Sequence, residues 1–157
     1  MRDLDENWVK WLNDKDVNKF SNKLKKKHTI KSQTKYLLEL FNNKSKILYL
    51  IKYKDKNIGT ILISKISKIS RECEISYMIG DKNFWNRDIG TYVIRLITKI
   101  IFYKLSLNKI NAGIRGDNFP SQKILIKNKF KIKKILRKNI KFGNKYFDRL
   151  IFFNIKN

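Results

Sequence analysis

Hydrophobic positions along the chain change period several times, and each change marks an element. Over residues 5–12, Trp8, Val9, Trp11 and Leu12 recur at helical spacing, and a short helix is expected over 15–20. Residues 21–29, SNKLKKKHT, read as a basic loop. Thr29 then predicts the N-cap of a helix running to Phe41, with Tyr36, Leu37, Leu40 and Phe41 on its buried face. Beyond it the period shortens to that of strands. Residues 47–54 (ILYLIKYK) and 58–67 (IGTILISKIS) read as a hairpin turning at Asp55-Lys56-Asn57, and 73–79 (CEISYMI) as a third strand ended by Gly80. The strongest helix is 90–104, where Val93, Leu96, Ile97, Ile100 and Ile101 form a wide apolar face opposite Arg95 and Lys99. A short strand at 109–114, a helix opened by Pro120 over 120–128, and a hairpin of 130–141 with 145–155 around Gly143-Asn144 complete the chain. Helices, antiparallel strands, a strand–helix–strand crossover and a closing hairpin make an α/β layout with a mixed sheet.

The chain has 157 residues, about the size of one domain, and no Pro/Gly/Ser-rich linker divides it. A hydrophobic fraction of 42% and an aromatic fraction of 13% suffice for a core. A lone cysteine, Cys73, excludes an intramolecular disulfide, and a lone histidine, His28, with it excludes the usual zinc ligand sets. No window approaches the roughly 18 apolar residues of a membrane span, and the acidic, tryptophan-bearing start lacks the form of a secretory signal. The expected compartment is the cytoplasm.

A net charge of +24 invites a nucleic-acid reading. Composition argues otherwise. Lysine supplies 30 of the 37 basic residues, isoleucine and asparagine are abundant, and alanine and proline occur once each. That is the amino-acid usage of an AT-rich genome with lysine as its default surface residue. The lysines are scattered and form no single stripe, so nucleic-acid binding ranks third among the readings. Anionic substrates would still feel the field.

Three segments carry a resemblance. Residues 74–80, EISYMIG, look like the cofactor strand of the GNAT superfamily of N-acetyltransferases. Residues 84–91, FWNRDIGT, resemble its pyrophosphate loop and helix start. Residues 118–130, from NFPS through KF, are similar to its N-x-x-S…K-x-GF segment. The helical Trp11-Leu12-Asn13-Asp14 and the late Asp148 also fit. Within the superfamily the match is to the RimJ/RimL-like branch, and it covers nearly the whole chain. The resemblance implies one domain over 1–157, with a mixed, mostly antiparallel sheet flanked by helices. A splayed parallel strand pair would form the acetyl-CoA groove, and the first strand, ahead of Asp5, would be short or missing.

The implied chemistry is direct acetyl transfer from acetyl-CoA to a primary amine, with no metal. A strand–loop–helix junction presents unpaired N–H groups where the helix dipole favours anions. Main chain over 87–91 (Arg87, Asp88, Ile89, Gly90, Thr91) is therefore expected to hold the diphosphate, with Arg87 adding a charged donor. Met78 or Ile79 would polarise the thioester carbonyl, and Asn118 and Ser121 would contact the CoA arm or cap the short helix. Glu74 stands where some members carry a general base; its other reading is a carboxylate paired with a nearby lysine or arginine. Leu125 stands where many members carry a tyrosine acid; Tyr77, within the cofactor strand, is the nearest phenol by sequence, and an aromatic in a strand reads first as core. Cys73 reads as a core residue, and His28 as a solvated one.

Asn86, Asp88 and Lys129 stand where the family has glycine. Asp88 is expected to cap the helix with its own carboxylate and so to compete with a diphosphate. The acceptor could be a protein N-terminus or an amino-sugar nucleotide, and the chain a monomer or homodimer. The competing class is a GNAT-shaped binding module that has lost its cofactor.

Overall fold

The computed structural model describes residues 6–21, 23 and 26–156; the expected first strand lies outside them. Helix α1 (Glu6–Asn13) and helix α2 (Ile30–Phe41) precede the sheet. Thr29 caps α2 as its sequence predicts: its hydroxyl accepts from the Ser32 amide, and the Ser32 hydroxyl accepts from the Thr29 amide. Strands β1 (Ile47–Tyr53), β2 (Lys56–Ser67) and β3 (Glu72–Ile79) follow, then α3 (Ile89–Lys99), β4 (Lys109–Arg115), α4 (Phe119–Lys127), β5 (Lys131–Phe142) and β6 (Lys145–Ile155). The six strands form one sheet in the order β1-β2-β3-β4-β6-β5. Every pair is antiparallel except β3–β4.

The two crossover helices lie on one face of the sheet, over a core that includes Ile63, Ile94, Ile101, Ile110, Leu125 and Phe152, all fully enclosed. Trp8 and Leu12 bury the inner side of α1, and Trp11 lies against the main chain of Gly80. A β-carbon on Gly80 would stand 2.1 Å from the Trp11 ring, so that contact requires glycine.

Three expectations change. Residues 15–20 form consecutive turns and no helix; Asn18, fully buried, donates to the carbonyls of Trp11 and Asp14 and holds them. Phe41 is 78% exposed, because α2 buries only the stripe of Gln33 and Leu40. On α3 the buried stripe is Thr91, Ile94 and Ile97, continued by Ile101, while Leu96 is half exposed. The face is rotated from the expected one because α3 packs on α4 as well as on the sheet, with Gly90 set against Ile124. The helix then widens into a π turn over Ile100–Lys104.

Helix α4 ends in a Schellman motif. The Phe130 amide donates to the Leu125 carbonyl and the Lys129 amide to the Ile126 carbonyl, with Leu125 and Phe130 both buried. Lys129 therefore sits at φ +64°, in the left-handed region. This is the position of the family's "GF" glycine, and lysine bears a steric cost there. Lys129→Gly is expected to raise stability by about 1 kcal/mol, read from the urea midpoint at unchanged m-value; a lower midpoint would count against strain at this residue.

Candidate active site

The parallel ladder between β3 and β4 is short. It runs through Glu72↔Lys109, Cys73↔Ile110 and Glu74↔Asn111 and then stops. Beyond it, β3 stays paired with β2 as far as Gly59↔Ile79, and β4 stays paired with β6 as far as Arg115↔Arg149. The two halves of the sheet part there. A cavity of about 1270 Å³ passes through the parting, walled by residues 75–79 on one side and 112–115 on the other. Its lining runs from the loop before α3, residues 84–91, to α1 and the turns after it, where Trp8, Leu12 and residues 16–21 contribute.

Main-chain direction along β3 follows from one bond. The Trp85 indole N–H donates to the Ile79 carbonyl at 2.8 Å. In an antiparallel pair, residues alternate between facing the partner and facing away. The main chain of Ile79 and Tyr77 therefore faces the gap, and that of Met78 faces β2.

The loop before α3 supplies a second set of free donors. No acceptor among the described residues takes the amide N–H groups of residues 86–91. They surround the N-terminus of α3, where the helix dipole favours an anion. Asn86 at φ +58° and Asp88 at φ +53° turn the chain to present them. Both are left-handed conformations that glycine adopts freely and that Asn and Asp tolerate better than other residues. Arg87 is exposed, lines the cavity and is unpaired among the described residues.

Asp88 does not cap the helix. Its carboxylate accepts from Lys127 Nζ at 2.9 Å and from the Thr91 hydroxyl at 3.2 Å, and makes no bond to a helix amide. The left-handed backbone turns the carboxylate towards α4 and leaves the amides open. Lys127, then Thr91, holds its pKa below the ordinary carboxylate value. Buried Asn128 fixes the geometry, its side-chain amide donating to the carbonyls of Thr91 and Ile124 and so joining α3 to α4. On α4, Asn118 caps the helix by accepting from the Ser121 amide at 3.2 Å, and both residues line the cavity.

The opposite face of the parting is basic. Glu74 lies just outside the cavity lining and is held between Lys65 at 2.5 Å and Arg149 at 3.3 Å. Arg149 reaches it by lying across Gly113, where a β-carbon would stand 2.6 Å from the guanidinium. His28 is not a freely solvated side chain: its Nδ1 lies 3.0 Å from the Gln33 side-chain amide and its Nε2 2.9 Å from the Lys23 carbonyl. Tyr77 lines the gap with its phenol oxygen buried and, among the described residues, without a well-formed hydrogen bond. Burial pushes its pKa up to about 12, against a lowering influence of the Ser121 hydroxyl. Cys73 is 1% exposed, and burial raises its thiol pKa to about 12. It is a core residue with no thiolate to offer.

A parted parallel pair beside a helix N-terminus with open amides is an arrangement for holding a long anionic ligand across a sheet. The sequence profile of the GNAT acetyltransferase domain matches residues 1–131. The chain belongs to the GNAT acetyltransferase family. Among its relatives is the N-acetyltransferase p20 of Bacillus licheniformis, 26% identical over 131 residues that make up 80% of this chain and 73% of that one. Solved structures share the fold at lower identity. The microcin C7 self-immunity acetyltransferase MccE, in complex with acetyl-CoA and AMP, has a TM-score of 0.82 at 20% identity, over 96% of this chain and 86% of that one. The spermidine N-acetyltransferase of Vibrio cholerae, in complex with CoA and spermine, has a TM-score of 0.83 at 12% identity, over 97% and 92%.

In this GNAT N-acetyltransferase, the residues expected from sequence fall into two groups. Met78, Ile79, Arg87, Asp88, Ile89, Gly90, Thr91, Asn118 and Ser121 all line one cavity. Glu74 stands apart from them in its ion pairs. Sequence reasoning missed Lys127, Asn128, Arg115 and Arg149. The contacts that place Lys127, Asn128 and Arg149 span 37 to 75 positions of chain, the longest being the Arg149–Glu74 pair, and no local pattern marks them. Replacing Asp88 by glycine keeps the backbone shape, removes a carboxylate beside the amides and frees Lys127. Asp88→Gly is expected to tighten acetyl-CoA binding by about two- to fivefold in calorimetry. Unchanged or weaker binding would mean that the Lys127 pair organises the loop.

Proposed function

We propose that this GNAT enzyme moves the acetyl group of acetyl-CoA to a primary amine by direct attack within a ternary complex. The observation that carries this reading is that the open amides of residues 86–91 and the parting of β3 from β4 belong to one continuous cavity. A diphosphate fits the amides with Arg87 beside them, and the pantetheine arm fits the gap between Tyr77–Ile79 and α4, near Asn118 and Ser121. Bound acetyl-CoA supplies an activated thioester, so no protein nucleophile is needed. The sole thiol is sealed in the core.

The chain's own residues have defined tasks in this scheme. Ile79, with its main chain turned into the gap, offers an N–H to a carbonyl oxygen. Leu125 is fully buried and apolar, so it donates nothing. Tyr77 keeps its proton at neutral pH and presents its O–H in the gap beside Ser121, which suits it to hydrogen-bond sulfur. Glu74 serves as the anchor of Arg149; acting as a base would first require it to give up a cation. The end of the cavity beside α1 is where the amine enters and loses its proton to water in this scheme.

The motifs of the RimJ/RimL-like branch support a protein N-terminus as acceptor, and a basic cavity supports an anionic amine such as an amino-sugar nucleotide. A polyamine fits poorly, since Lys19, Arg115 and Arg149 all line the cavity. Acetyl-CoA is expected to raise the melting temperature by several degrees at saturating concentration. Adding a productive amine should then release free thiol at a rate proportional to enzyme. Absence of any shift would support a fold that has lost its cofactor.

A further inference from the structure

One side chain of the cavity lining is fixed by rings and a carboxylate at once. Arg115, the last residue of β4, is 5% exposed and lines the cavity. Its guanidinium lies over three phenylalanine rings from separate segments: Phe147 at 4.2 Å, Phe142 at 4.7 Å and Phe20 at 5.1 Å. Asp117 accepts from Nε at 2.6 Å and from one terminal nitrogen at 3.0 Å. The other terminal nitrogen, Nη1, is buried with no acceptor among the described residues. A buried charged donor without a partner is costly. Directly opposite, in register across the sheet, stands a second arginine, Arg149. Like charges in facing positions repel, and the two side chains diverge, one into its aromatic box and the other over Gly113 towards Glu74. Asp117 and Glu74 each take up part of this charge. The enclosed donor on Arg115 and the remaining N–H groups of Arg149 thus belong to two residues that line the cavity.

We propose that Arg115 and Arg149 form the recognition site for an anionic group on the acceptor, so that the substrate class is a primary amine bearing a phosphate or a carboxylate. This rests on the acetyltransferase reading above and deepens it. The aromatic box and Asp117 fix the plane and charge of Arg115 before any ligand arrives, which removes most of the ordering cost of a fork-shaped contact. Phe20, on the turns after α1, also lines the cavity, so the box stands at the cavity wall.

The test compares simple amines that differ in the anion alone: 2-aminoethyl phosphate, β-alanine and ethanolamine, each assayed by thiol release from acetyl-CoA at constant ionic strength. Wild-type kcat/KM is expected to be at least about tenfold higher for one of the two anionic amines than for ethanolamine, through KM. Phosphate over carboxylate, or the reverse, identifies the group. Arg149→Gln and Arg115→Lys are each expected to shrink that ratio towards one. The lysine variant keeps the charge and loses the fork, and an acetyl-CoA melting shift equal to wild type shows that each variant is folded. Equal kcat/KM for all three amines, with the acetyl-CoA shift intact, overturns the anion site and leaves the transferase reading standing. Absence of the shift in the wild-type protein overturns both.

Discussion

The early end of the β3–β4 ladder is the constraint on which the site depends. Two antiparallel ladders, β2 with β3 and β4 with β6, each run well past the point where β3 and β4 separate. Each inner strand is thus held by its outer neighbour and does not need the other. Strands that part in mid-sheet leave main-chain donors and acceptors facing one another across a gap, and such groups are rarely left unmatched. Trp85 takes one of them, the Ile79 carbonyl. The rest face a cavity wide enough for a chain-like ligand, so the sheet uses the free energy of its own interrupted pairing to bind. Had the parallel register continued to Ile79, the same sequence would make a closed sheet with a buried loop beside it.

The second determinant is backbone shape where glycine is absent. Asn86, Asp88 and Lys129 all have positive φ. The family's glycines at these places are therefore explained by handedness, and close approach to phosphate need not be invoked for the turn itself. Asn and Asp reach this region at modest cost because their short polar side chains are accommodated locally. Lysine has no such advantage, and its presence at the end of α4 is tolerated because the Schellman bonds and the Leu125–Phe130 contact fix the turn regardless. The same reasoning explains why the carboxylate of Asp88 fails to cap α3. An N-cap side chain bonds the helix from an extended backbone, whereas a left-handed residue directs its side chain elsewhere, here to Lys127.

The sequence was informative where the signal is periodic or local. All six strands, the cap at Thr29, the helix opened by Pro120 and the loop before α3 could be placed from alternation, capping residues and the EISYMIG and FWNRDIGT segments. Legibility failed where neighbours distant in sequence decide. The buried stripe of α3 is set jointly by the sheet and α4, so Ile94 replaces Leu96 at its centre. The turns over 15–20 are held by Asn18, whose burial no hydrophobic pattern announces. Glu74 could be read as a base or an ion-pair partner from sequence alone, and only its placement between Lys65 and Arg149 distinguishes an engaged carboxylate from a free one.

Charge shows the same division between composition and placement. A formal charge of +24 spread over exposed lysines sets a general field that salt screens within about 10 Å. It carries no specificity. Arg115 and Arg149 differ in kind, being partly or wholly enclosed, fixed by aromatic rings, by Asp117 or by Glu74, and set opposite each other at the end of a parted sheet. In that setting screening is weak and geometry is determined, so two charges weigh more in recognition than the many on the surface. Gly113 is what makes the arrangement fit, since any side chain there would push the Arg149 guanidinium off β4 and away from Glu74. Lysine abundance is thus a property of the chain as a whole, whereas the end of the parted sheet is marked by the small number of cations that the fold takes out of water.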